Sequence, residues 1–445
     1  MSTGLLIGLL VASVALLLFF VIKLNLHAFI ALLIVSLVMG LATGMPFNEI
    51  IGAMTSGMGG TLGFLATVIG LGAMFGKMLE VTGGAERLAR GFLQIFGEKK
   101  ANWAMLLAGF LVSIPVFFDV GFIILVPLVF ALARSSKKSI LYFGIPLLAG
   151  LAVTHAFVPP TPGPILVAGF VGADIGKVIL YGIICGLPAA ILAGPIFGTL
   201  ISRKIDAPVP DYLDLDLKEP FAEKDMPRFG TVIGLILFPI ILILMNTAGT
   251  AWLTEGSAVR NFFAFIGHPI VALILACLLS FIVLGKFKGL SMKEIKSISN
   301  AALNSTGLII LVTGAGGVFK QVLVDSGIGN AIGESFASLP LSPLLLAFLL
   351  AVVVRIAAGS ATVAMTTAAA IVAPIVQSAS VEPALIGIAI AAGSTAFSHV
   401  NDSGFWLVNR YFGISEKDTL RSWTVMETII GFAGLGMAML LSLFV

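Results

Sequence analysis

Asp119 stands in an otherwise apolar stretch, Ser113-Ile-Pro-Val-Phe-Phe-Asp-Val-Gly121. An ionised carboxylate there is costly unless it has water, a partner or a bound proton. A carboxyl that takes up and releases a proton is the chemistry such a residue would do; a solvated cavity mouth is the plainer home for it. A second polar cluster, Ser394-Thr-Ala-Phe-Ser-His-Val-Asn-Asp-Ser-Gly404, sets Ser398, His399, Asn401 and Asp402 side by side. Hydroxyl, imidazole, amide and carboxylate in that spacing suit substrate hydroxyls or a proton relay, and equally a self-satisfied structural network. A third, Thr154-His-Ala-Phe-Val-Pro-Pro-Thr-Pro-Gly-Pro164, offers Thr154, His155 and Thr161 among prolines that exclude a continuous helix. The fourth is Ala358-Gly-Ser-Ala-Thr-Val363. Its Gly359, Ser360 and Thr362 leave backbone amides free for an anion, although small residues also favour close helix packing. Arg355, one turn earlier, suits a substrate carboxylate, an internal acid or the outer face.

Positioning these groups is the work of apolar helices. Of the 445 residues 59% are hydrophobic and 11% charged, which excludes a soluble globular protein. Runs at 4–22, 59–76, 229–247 and 269–285 are each about long enough to cross a bilayer. The first lacks a basic leader and reads as a retained helix, not a signal peptide. Cys185 and Cys277 lie in apolar runs and read as packing, with no disulfide or metal site. Lys77 and Lys320 fall near enough to helix ends to reach out of the membrane. Asp174 and Asp325 fall in outer loops where solvation is expected. The glycines Gly70, Gly72 and Gly76 loosely imitate a phosphate loop but follow no strand, so glycine-mediated packing is the better account. Neither a Walker motif nor a His-Glu-x-x-His pattern is present, and no cofactor, nucleic acid or enzymatic chemistry is implied.

The chain is duplicated. Residues 63–75 resemble 307–319, and Gly63 with Gly307, Gly70 with Gly314 and Phe75 with Phe319 share one offset of 244. The same offset pairs Thr154-His155 with Ser398-His399. Basic residues then set orientation. Lys286 to Lys296 holds four lysines against none in 45–52, whereas Arg87, Arg90, Lys99 and Lys100 face a base-free 331–343. Arg134, Lys137 and Lys138 correspond to the base-free 378–383. Opposite charge bias in equivalent loops places them on opposite faces, so the repeats are inverted. Segments 102–133 and 343–376 then enter and leave on one side as re-entrant hairpins. The expected fold is an all-α polytopic membrane protein with two inverted repeats, 1–201 and 229–445. Each has about five crossings, one hairpin and a broken helix at the midplane, where such carriers bind substrate. Residues 202–228, with seven acids, five bases and four prolines, form a cytoplasmic linker.

Five segments are similar to the gluconate permease family, within the wider ion-transporter superfamily. They are Gly59-Gly-Thr-Leu-Gly-Phe64, Gly72-Ala-Met-Phe-Gly-Lys-Met78, Gly314-Ala-Gly-Gly-Val-Phe-Lys-Gln-Val-Leu-Val-Asp-Ser-Gly327, Gly359-Ser-Ala-Thr-Val-Ala364 and Ser398-His-Val-Asn-Asp-Ser-Gly-Phe-Trp-Leu407. The resemblance spans essentially the whole chain. It implies a bacterial inner-membrane symporter that brings in gluconate with protons; relatives carry other small hydroxy acids or D-serine. Asp119 stands where several members have glutamate, a methylene longer. The expected substrate site comprises Thr154, His155, Thr161, Arg355, Gly359, Ser360, Thr362, Ser398, His399, Asn401 and Asp402. Proton coupling is expected at Asp119, His399 or Asp402. Sodium coupling is the alternative, since carbonyls at helix breaks bind that ion. A channel or membrane-embedded enzyme is the rival class, and a homodimer is compatible with moving hairpins on a scaffold.

Overall fold

The computed structural model describes residues 2–24, 26–210, 221–328, 342–376, 381–400 and 402–445. Among the described residues no strand occurs, and nine helical segments are long and apolar enough to span a membrane. Helices are what hydrocarbon allows, because each satisfies its own backbone amides and carbonyls.

The first half runs α1 (Thr3–Leu18), α2 (Ala28–Ala42), α3 (Phe47–Val81) and amphipathic α4 (Gly84–Phe96). Next come α5 (Ala101–Val112) and α6 (Phe118–Ser136), then α7 (Leu141–Phe157), α8 (Pro162–Val171) and α9 (Ile175–Ile191), which continues to residue 201. The second half follows, with its amphipathic helix placed before the long helix instead of after it. It comprises α10 (Phe229–Trp252), amphipathic α11 (Ala258–Ile266), α12 (Pro269–Ser280), α13 (Met292–Asp325), α14 (Pro343–Ala358), α15 (Ala361–Val376), α16 (Pro383–Thr395), α17 (Ser403–Phe412) and α18 (Val425–Leu441). The long helices match closely: α3 has 35 residues and α13 has 34. The base-free stretches at 331–343 and 378–383 fall largely outside the described residues, as does 211–220 of the linker.

Every expected interruption is present. The α5–α6 pair breaks at residues 113–117 and the α14–α15 pair at 359–360. With 12 residues, about 18 Å of rise, α5 is too short to cross alone. The proline cluster separates α7 from α8 at residues 158–161, and residues 396–402 separate α16 from α17. Gly359 ends α14 at φ +69°, a backbone that side chains rarely adopt.

Glycines let these pieces approach closely, so the phosphate-loop imitation is indeed packing. A Cβ on Gly57 would meet Gly317 and Gln321, one on Gly314 would meet Met58 and Leu62, and one on Gly70 would meet Leu303. Numbers rise along α3 as they fall along α13, so the two equivalent helices pack antiparallel. The hairpins lock similarly in each half. The Gly109 position lies against the Leu147 carbonyl, and Gly393 against that of Phe348. Gly76 of α3 abuts the first hairpin tip; a Cβ there would sit 1.8 Å from the Pro115 carbonyl oxygen.

Lys77 and Lys320 each find a partner within the protein. Lys77 pairs with Glu80 at 2.6 Å. Lys320 donates to the Phe170 carbonyl at 2.9 Å and lies 5.4 Å over that ring. Asp174, expected to be simply solvated, caps α9 by accepting from Lys177 N at 2.8 Å, and accepts from Thr247 Oγ1 at 2.8 Å. Both cysteines are buried free thiols. The end of the linker is tied to α4, where Phe221 N donates to Glu86 at 3.2 Å and Arg87 pairs with Glu223 at 3.1 Å.

Candidate functional site

Both hairpin tips, the end of α7 and the second helix break converge on one cavity of about 350 Å³. The first hairpin brings Phe117, Phe118 and Asp119; the second brings Ser360, Ala361 and Thr362. His155 comes from α7, Asp402, Ser403 and Gly404 from the second break, and Glu427 from α18. A volume of this order admits a small organic molecule with ordered water.

Arg355 is the cation of the lining, and only 3% of it is exposed. Its Nη1 donates to the Gly359 carbonyl at 2.8 Å and its Nη2 to Asp402 Oδ2 at 2.5 Å, while Nε is buried without a partner. Of the roles open to it in the sequence, pairing with an internal acid is the one the structure displays. Asp402 is fully engaged: Oδ2 also accepts from Ser398 Oγ at 2.5 Å, and Oδ1 accepts from Gly404 N at 3.0 Å, capping α17. Trp423 Nε1 donates to Ser398 Oγ at 2.8 Å, and its ring lies 5.4 Å from that of Phe118. A continuous chain of contacts therefore runs from one hairpin tip through the break to the other hairpin. Such a buried network, in which Arg355 Nε alone lacks a partner, fixes the relative placement of its members.

Across the cavity the surroundings differ. Ser360, Ala361 and Thr362 are half-buried at the start of α15, where Ser360 Oγ accepts from Val363 N at 3.4 Å and the helix presents its first amides and the positive end of its dipole. Asp119 lies in the first turn of α6 and is exposed, so it resembles the solvated mouth more than a sealed acid. His155 lies edge-on to Phe117, ring centroids 6.4 Å apart, with Nδ1 buried and unpartnered.

The cavity thus gathers six of the expected residues: Asp119, His155, Arg355, Ser360, Thr362 and Asp402. Thr154, Thr161, Gly359, Ser398 and His399 stand off its lining, and Asn401 lies outside the described residues. Thr154 is buried with an unpartnered hydroxyl, and Thr161 donates to the Val158 carbonyl at 2.7 Å within its own break. Gly359 and Ser398 brace Arg355 and Asp402 from behind. His399 points back to α14, its Nε2 3.1 Å from the Ile356 carbonyl. The sequence reading missed Glu427, Trp423 and Thr395, which also line the cavity. Glu427 carried the same signal as Asp119: a single acid inside an apolar span.

Helical spans, paired hairpins and broken helices around one cavity define a polytopic membrane protein. Its structure is similar to that of MtrF of Neisseria gonorrhoeae, with a TM-score of 0.70 at 15% identity over 89% of this chain and 84% of that one. The chain belongs to the GntP family of permeases, whose family profile matches residues 5–444. It is 46% identical to the gluconate permease of Pseudomonas aeruginosa, over 95% of this chain and 94% of the relative. It is 44% identical to the low-affinity gluconate transporter of Escherichia coli K12, over 95% of both chains. The protein is therefore a multi-pass permease of the bacterial cell membrane.

Proposed function

We propose that this permease imports gluconate, or a closely related small sugar acid, by proton symport through alternating access. One observation carries it: a single cavity joins an arginine, free amides and hydroxyls at a hairpin tip, and acids within reach of water. Amides, Ser360, Thr362 and Arg355 would take the carboxylate and hydroxyls of the substrate. Asp119 or the second-break cluster of His399 and Asp402 would exchange the proton, and Asp119, without a hydrogen-bond partner among the described residues, is the freer of these. Both relatives named above are gluconate carriers. The halves 1–201 and 229–445, joined by a cytoplasmic linker, are read as inverted repeats; the antiparallel packing of α3 and α13 and the opposite charge bias of equivalent loops support that reading. Rocking one half against the other would then open the cavity to each side in turn.

Proteoliposomes with an imposed pH gradient and no sodium are expected to accumulate labelled gluconate, and a protonophore to abolish it. Downhill equilibration alone would mean a channel. Uptake that requires sodium, or prefers D-serine or another hydroxy acid, would replace the coupling ion or the substrate. If the second hairpin binds the substrate, S360A/T362V raises the KM for gluconate about tenfold, the worth of one hydrogen bond to a charged group. An unchanged KM would take those hydroxyls out of the site.

A further inference from the structure

Glu427 is a carboxylic acid on the cavity with no hydrogen-bond donor among the described residues. It sits near the start of α18 in Val-Met-Glu-Thr-Ile-Ile-Gly, is 3% exposed and lines the cavity, yet has no hydrogen-bond partner among the described residues. The groups facing it can be named element by element. Arg355 of α14 and Asp402 of the second break act on it electrostatically. Asp119 and His155 face the same cavity from the first hairpin and α7; α16 adds the hydroxyl of Thr395, and α9 adds no residue to the lining.

The three acids of this cavity are not equivalent. Asp402 receives Arg355, Ser398 Oγ and the Gly404 amide, so its charge is satisfied and it neutralises the arginine. Asp119 is exposed. Glu427 alone is both buried and without a donor, which makes its ionised form expensive. An anionic ligand drawn to Arg355 would also stand beside it, and two uncompensated negative charges at close range in a low-dielectric site repel strongly. Ligand and ionised Glu427 therefore exclude one another.

On the basis of the symport reading above, but in place of Asp119 or the His399 and Asp402 cluster, we infer that Glu427 is the residue whose proton is carried with the anion. The carboxylate takes one proton from water on the outer side, binding a monoanion becomes electrically neutral, and the proton leaves to the inner side after the substrate. Binding and protonation then favour each other reciprocally, as coupling requires.

The test compares wild type, E427Q and E427D in proteoliposomes, with labelled gluconate as the probe. Wild type should accumulate substrate under an inward pH gradient, and its gluconate self-exchange should quicken as pH falls. E427Q should lose gradient-driven accumulation by about tenfold or more. Its exchange should no longer vary with pH, a signature that simple misfolding does not give. Should E427Q not fold, E427D decides, since it keeps a titratable group in an altered position. A displaced pH profile supports the assignment, and one superimposed on wild type overturns it. E427Q accumulating like wild type would overturn it too. Wild type failing to accumulate would instead remove the symport reading itself, a separable result.

Discussion

Arg355→Ala is expected to abolish gluconate uptake, by about 100-fold or more, and to lower the melting temperature of the purified protein. Removing one partner of a buried ion pair leaves the other charge stranded, which typically costs about 3–5 kcal/mol. Here Asp402 would keep only Ser398 Oγ and the Gly404 amide, and the Gly359 carbonyl would lose its donor. Arg355 also crosses from the second hairpin to the second break, so its loss frees the hairpin tip as well. Lysine restores the charge but not the fork that reaches Gly359 and Asp402 together, so R355K should recover only part of the stability and little transport. Uptake by R355A at the wild-type rate would separate Arg355 from substrate handling altogether.

Gly76→Ala should be nearly as damaging, although Gly76 is no part of the cavity lining. Its added methyl would lie 1.8 Å from the Pro115 oxygen and 2.8 Å from the Pro115 carbonyl carbon. Those are backbone atoms of the first hairpin tip and cannot rotate away as a side chain would. Overpacking of this kind costs about 1–3 kcal/mol, and relief requires the tip to shift with Phe117, Phe118 and Asp119. Displacing reacting or binding groups by about 1 Å can cost about 100-fold in rate, so maximal uptake should fall at least tenfold. Gly63 of the same helix is the control, because a Cβ there meets nothing within 4 Å and G63A should transport like wild type. Equal uptake by G76A and G63A would show that α3 does not position the hairpin.

Much of the architecture was legible because it rests on local chemistry. Pro159 and Pro160 remove two successive backbone donors, so the α7–α8 break was legible from composition, and Pro162 and Pro164 fall in the first turn of α8, where such donors are not needed. The Ala358–Val363 break showed itself by Gly359, whose left-handed backbone ends α14. Single charges in apolar runs marked Asp119 and Arg355 as residues needing an explanation. The same rule applied to Glu427, but neither a helix break nor a repeat partner drew attention to it. Its importance appears only when α18 is packed against the cavity.

What the sequence by itself determined, then, is a membrane-embedded helical protein with four interruptions, since run length, proline, glycine and charge act within a turn or two. Which polar groups share the cavity was decided by tertiary structure. Arg355 and Asp402 are 47 residues apart, and nothing local says that this arginine meets that acid. His399 and Asp402 are near neighbours in the chain, yet one points back to Ile356 and the other lines the cavity. A backbone turn, closed by Asp402 N donating to the His399 carbonyl at 2.9 Å, points these side chains in different directions, and the helices packed around it determine which of them is covered. A charge in a membrane is defined by what surrounds it, and for this site the surroundings come from six separate segments of the chain.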